Sequence, residues 1–120
     1  MAAHKLDNYL RSYRKASGLS QGEVAFLLGC QEGTKISRYE SRRRRPNLES
    51  AWGYEVIFGA RASELFAGAV EKVEERIVNR ARLLTRELEG IGTPGRTTSR
   101  KLETLRAIAP GRATGATKGL

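Results

Sequence analysis

Cysteine and histidine each occur once in the chain, as Cys30 and His4. One cysteine excludes an internal disulfide, and one of each excludes a Cys/His zinc cluster. A lone histidine leaves no second one to complete a nucleophilic triad, and His4 so near the N-terminus reads as a solvated side chain. No stretch approaches the roughly 20 apolar residues that a membrane helix needs. The N-terminus also lacks the apolar segment of a secretory signal. These gaps predict a reducing, cytoplasmic setting, with no metal, no cofactor, no membrane and no enzyme activity.

Acidic residues are scarce as well. There are 13 of them against 22 Lys and Arg, a net charge of +9. Such a balance points to a polyanionic partner. The excess is uneven. Residues 1–66 carry 11 positive and 7 negative groups, residues 67–90 carry 5 and 5, and residues 91–120 carry 6 and 1. The middle is neutral and both ends are basic. At 120 residues and 39% hydrophobic content, the chain can bury one small core, which suits binding better than a deep catalytic cleft.

What is present reads as helices. Leu6, Tyr9, Leu10 and Tyr13 recur at helical spacing and predict a first helix over about Lys5 to Ala16, stopped at Gly18. Ser20 followed by Glu23 is a capping box, so a second helix starts there, with Val24, Leu27 and Leu28 as its apolar stripe and Gly29 as its stop. A third helix is expected from the Glu32–Thr34 region to about Ser41, with Ile36 and Tyr39 inward. The run Arg42 to Arg45 follows and ends at Pro46. Asn47 and Gly59 bracket a fourth helix, Leu48 to Phe58. Leu48, Ala51, Trp52, Val56 and Ile57 are expected to face the core, Trp52 as its anchor. A long helix then runs from near Ser63 to about Glu89. Its seam, Phe66, Val70, Val73, Ile77, Leu84 and Leu88, is close to a heptad pattern that Arg80 interrupts. Gly92 to Gly95 reads as a linker, Ser99 to Ala109 as one short helix, and Gly111 to Leu120 as a disordered basic tail.

The stretch from Leu10 to Phe66 resembles the lambda-repressor-like family, also called the Cro or xenobiotic-response-element family. The likeness covers about half of the chain and rests on the Ser20-Gln21 start, small Ala25, the turn at Gly29, the run Ile36-Ser37-Arg38-Tyr39-Glu40, and Pro46-Asn47-Leu48-Glu49. It implies an all-α, five-helix lambda-repressor-like DNA-binding bundle, here with an extended C-terminal helix and a basic flexible tail. The corresponding divisions are a DNA-binding domain over 1–66, an extended helix over 67–89 suited to dimerisation, and a tail over 90–120 holding the short helix 99–109. Ala25 lets the second and third helices approach. Ile36 fastens the third helix so that its exposed side can enter a major groove.

Two departures stand out. Seven positions separate Gly29 from Ile36, where the family commonly has six, so the extra residue lies within Cys30 to Lys35. Arg42 stands where the family usually has glycine after the third helix. If that helix starts near Glu32, then Gln31, Lys35, Arg38 and Arg42 form one polar stripe. If it starts at Thr34, that hydroxyl is the cap and Gln31 belongs to the turn. Lys35 and Arg38 face away from Ile36 in either register and are the leading base readers, with phosphate contacts as the alternative role. Gln31, Thr34, Ser37 and Arg42 complete the expected reading surface. The resemblance implies a phosphate contact for Gln21 and an internal ion pair between Arg14 and Glu40. Arg43, Arg44 and Arg45 are expected on backbone phosphates, and Cys30 as a small turn-packing residue.

The reading that results is a sequence-specific transcriptional regulator, a repressor, bound to double-stranded DNA as a homodimer. The seam on the long helix is one candidate dimer surface; folding back on its own core is the other use for it. Two further readings compete. One is an antitoxin-type autorepressor whose residues 67–120 bind a protein toxin. The other is a protein-interaction module that has lost DNA binding, against which stand six cations between Lys35 and Arg45.

Overall fold

The computed structural model describes residues 5–110. His4 and the tail Gly111 to Leu120 lie outside the described residues. Seven helices and no strand occur among the described residues: α1 Leu10–Ser17, α2 Gln21–Leu28, α3 Gly33–Glu40, α4 Leu48–Phe58, α5 Ala62–Leu65, α6 Ala67–Glu89 and α7 Arg96–Ile108. They divide into two compact units between Glu71 and Lys72, so α6 belongs to both.

The first unit closes around Leu10, Val24, Ala25, Ile36, Tyr39, Tyr54 and Leu65, all buried. Each large apolar side chain taken out of water there contributes about 1.5–3 kcal/mol. Aromatic rings of α4 pack on each other and on rings of neighbouring segments. Tyr54 stacks on Phe58 with centroids 5.8 Å apart and meets Tyr39 and Phe66 edge-on. Such pairs add to area burial because ring edges and faces carry opposite partial charge.

Three expectations change. The first helix starts at Leu10, not at Lys5, because the preceding backbone is taken up elsewhere. Tyr9 donates to the Leu65 carbonyl at 2.7 Å, and Gly68 donates to the Leu6 carbonyl at 2.8 Å. A Cβ on Gly68 would lie 2.4 Å from that Leu6 oxygen, so only glycine admits this approach. The same junction breaks the long C-terminal helix. Phe66 leaves helical geometry between α5 and α6 and packs against the core.

The second change concerns outward faces. In α4, Leu48, Trp52 and Val56 are 68%, 62% and 83% exposed, while Tyr54 is buried and Ile57 and Phe58 pack on the core. Trp52 is therefore not the core anchor. The helix is apolar on most sides, so its periodicity favours no single face. On α2, Leu27 also points outward at 55% exposure, while Val24 and Leu28 turn in. The third change is at the C-terminal side. Helix α7 is longer than the expected 99–109 segment and starts at Arg96, so the basic extension is largely helical up to Ile108.

In the second unit, Val78, Ala81, Thr85 and Leu88 recur at steps of three and four along α6, with Ala81 buried. Helix α7 carries a stripe of its own through Thr98, Leu102 and Leu105, with Leu102 buried. Arg106 donates to Glu89 at 2.6 Å and ties the two helices.

Candidate nucleic-acid interface

The surface is built on the pair α2 and α3. Ser20 Oγ accepts from the Glu23 amide at 3.0 Å, and Glu23 Oε1 accepts from the Ser20 amide at 2.9 Å. This reciprocal box satisfies two amides left open at the start of α2. The helix closes at Gly29 in the left-handed region, φ +81°, with the Cys30 amide bonded back to the Ala25 carbonyl. Ala25 is 2% exposed.

Helix α3 begins at Gly33, with Glu32 preceding it in extended geometry and no side chain capping its amides. Thr34 is inside the first turn and its hydroxyl donates to the Glu32 carboxylate at 3.3 Å, so it is not the cap. Gln31 lies in the turn before the helix. Glycine at 33 lets the start of α3 sit against the start of α2, since a Cβ there would lie 3.3 Å from the Gly22 nitrogen.

Inside the bundle, Glu40 anchors α3. Arg14 of α1 donates to its two oxygens at 2.6 Å and 3.2 Å, and Arg14 Nη1 reaches the Leu19 carbonyl at 3.1 Å. Gln21 Nε2 also donates to Glu40, at 3.1 Å. The Glu40 side chain is only 5% exposed and that of Arg14 12%. The hydrogen bond to Glu40 pushes the Arg14 pKa above its usual value, against the opposing effect of burial. Three helices are therefore locked by one carboxylate. Asn8 adds a fourth tie: its amide donates to the Tyr39 carbonyl at 3.0 Å and its oxygen accepts from the Leu10 amide at 3.1 Å. Asn8 was not among the expected site residues; it lies one position ahead of the N-cap Tyr9 and closes an Asx turn onto Leu10.

With Ile36 and Tyr39 buried, Lys35, Ser37 and Arg38 are exposed. Gln31, Thr34, Lys35, Arg38 and Arg44 line one shallow depression of about 500 Å³ together with Cys30. Five of the ten candidate contact residues thus share one concavity. Gln21 stands apart, its amide committed to Glu40. Arg42, Arg43 and Arg45 are exposed on the turn that follows α3. Arg45 is drawn toward Asp7, 3.8 Å away, yet stays 68% exposed.

The exit of α3 is tightly closed. The Arg43 amide bonds to the Arg38 carbonyl at 3.0 Å and the Arg42 amide to the Tyr39 carbonyl at 3.1 Å, a Schellman closure. Its left-handed residue is Arg42, φ +66°, which no other non-glycine described residue shares. The arginine therefore occupies the conformation that glycine would take without strain.

A buried frame that presents a cationic helix, with a glycine turn before it and a basic loop after it, is the geometry of a DNA-binding unit. Residues 8–52 match the family model of a helix-turn-helix domain, and the chain carries that domain. No curated protein and no solved structure gives a significant match to the chain. Among the described residues, no helix is long and apolar enough to cross a membrane, and no three His, Cys, Asp or Glu side chains are grouped to hold a metal ion.

Proposed function

We propose that the chain is a sequence-specific transcriptional regulator of the xenobiotic-response-element class, a repressor that binds double-stranded DNA as a homodimer in the cytoplasm. The observation that carries this reading is the grouping of Gln31, Thr34, Lys35, Arg38 and Arg44 in one concavity on the exposed side of α3. Helix α3 enters the major groove. Arg38 reads a guanine edge through paired hydrogen bonds, Lys35 reads beside it, and Gln31, Thr34 and Ser37 fill in the polar contacts. Arg42, Arg43, Arg44 and Arg45 hold phosphates. Gln21 keeps one amide hydrogen on Glu40 and turns the other to a phosphate.

Residues 1–66 act as the reading domain and 67–120 as an extension. Repression needs only occupancy of the operator, which a chain acting by binding alone provides. Each module spans few base pairs, so two copies related by a two-fold axis read half-sites roughly 34 Å apart.

Selection of bound duplexes from a random pool tests the proposal. The expected result is a palindrome with half-sites about one helical turn apart. Arg38→Ala should relax the preference at one position of each half-site, whereas Arg44→Ala should weaken all sequences alike. Recovery of no shared sequence, or identical effects of the two variants, overturns it.

A further inference from the structure

Glu32 is the one acid among the residues that line the concavity of Lys35, Arg38 and Arg44. It stands immediately before α3 in extended geometry, is exposed, and does not cap the helix. Phosphate binding gives no use for it. A carboxylate accepts hydrogen bonds but donates none, and it meets phosphate oxygens as a like charge. Three cations share the depression, yet none forms an ion pair with Glu32 among the described residues. The bond described at its side chain comes from Thr34, whose hydroxyl donates to Oε1 at 3.3 Å. That contact keeps the carboxylate beside the first turn of α3 and leaves Oε2 open to an outside donor. The first turn is also where a helix in a major groove comes nearest to base edges. The donors exposed there are the amino groups of cytosine and adenine. Adenine carries the N7 acceptor next to its amino group, which repels a carboxylate, whereas cytosine carries a C–H in that place. Cytosine is therefore the base that Glu32 fits.

We propose that Glu32 is a specificity-determining residue that accepts a hydrogen bond from the N4 amino group of a cytosine in the major groove. The proposal rests on the DNA-binding reading of α3 and adds to it a contact of opposite polarity. Arg38 takes an acceptor edge, and Glu32 takes a donor edge. The gain is in discrimination more than in affinity. On a wrong sequence the carboxylate loses water, finds no donor and faces base or phosphate acceptors, so it acts against that sequence. On the right one its desolvation is offset by the cytosine amino group.

The experiment is selection from a random duplex pool by the full chain and by its Glu32→Gln and Glu32→Ala variants. All three are then titrated on the parent's selected duplex and on an unrelated one. Position 32 is exposed and outside the core cluster, so neither substitution removes a buried contact. The parent should fix a cytosine at a position other than the one that Arg38→Ala relaxes. Glu32→Ala should lose the preference at that position alone. Glu32→Gln keeps the length but sets a donor beside its acceptor, so it should change the preference there to adenine. On the parent's duplex each variant should bind about 10-fold more weakly, as for one mismatched base pair. On the unrelated duplex affinity should hold or rise, because a like charge has left the interface. An unchanged selected sequence in both variants overturns the proposal, and would mean that the acid does no more than steady the positive end of α3. A rise in affinity on both duplexes alike overturns it too, and would mean that Glu32 repels phosphate without reading a base. So does a parent preference at the affected position for a base other than cytosine. Each of these leaves the DNA-binding reading standing, whereas a parent that selects no shared sequence sinks both.

Discussion

Tyr54 brings a hydroxyl into the core that meets no hydrogen-bond partner among the described residues. Burial, and next to it the charge of Glu40, pushes its pKa above the ordinary value of 10.0. The sign follows from which state binds the proton. The folded state keeps the phenol neutral while the unfolded state begins to ionise near pH 10, so stability is fully present below that value and falls as pH rises beyond it. Tyr54→Phe removes both the unsatisfied hydroxyl and the titration. It should raise stability at pH 7 by about 1 kcal/mol, and its advantage over the parent should widen from pH 9 to 11 in thermal melts. A variant less stable than the parent at neutral pH would show that the hydroxyl has a partner in solution. Glu40 works in the opposite direction. Glu40→Ala strands the charge of Arg14, whose side chain is 12% exposed, and should cost about 3 kcal/mol in urea unfolding. Arg14→Met combined with Glu40→Leu should recover most of that loss, because the buried charge leaves with its partner. Equal losses in the single and double variants would contradict this.

Among the elements, the exit of α3 sets stability against binding. A left-handed conformation costs a non-glycine residue about 1–2 kcal/mol, and a cation at a helix C-terminus returns about 0.3–1 kcal/mol of that. Arg42→Gly should therefore stabilise the fold by about 0.5–1 kcal/mol while lowering DNA affinity and reducing the salt slope by about one. Arg42→Ala keeps the strain and loses the charge, so it should be the least stable of the three. Melting curves and DNA titrations at several salt concentrations check both halves. The same exit shows how far a sequence can be read. Helix ends were legible at Ser20 with Glu23, at Gly29, and at Asn47 with Gly59, because capping there is a local matter of a few atoms. Faces were not legible in α4. Leu48, Trp52 and Val56 form as good an apolar stripe as the one that includes Tyr54, and only packing against Tyr39 and Phe66 decides between them. The start of α1 and the break at Phe66 escaped for a related reason. Both depend on backbone contacts between residues far apart in sequence, Tyr9 with Leu65 and Leu6 with Gly68. In the candidate interface, exposure of Lys35 and Arg38 followed from Ile36 and Tyr39 alone. The Arg14–Glu40 pair was implied by the resemblance and is present, whereas the commitment of Gln21 to the same carboxylate needed three dimensions.

For the whole molecule, charge rather than shape governs encounter with DNA. Cations outnumber acids by nine, and six of them lie between Lys35 and Arg45. If about six phosphates are neutralised on binding, log K should fall against log salt with a slope of about −5. Raising salt from 50 to 200 mM should then weaken binding by about 10³-fold. This dependence belongs to the phosphate contacts, so it should be nearly the same on the selected palindrome and on unrelated duplex. The gap between the two is the part that base contacts supply. Arg44→Ala should flatten both lines by about one unit, and Arg38→Ala should instead close the gap between them. Titrations by fluorescence anisotropy on both duplexes across that range give the two slopes and the gap together. A flat line would mean that the basic surface does not meet the backbone at all. Parallel lines with no gap would mean that α3 rests on DNA without reading it.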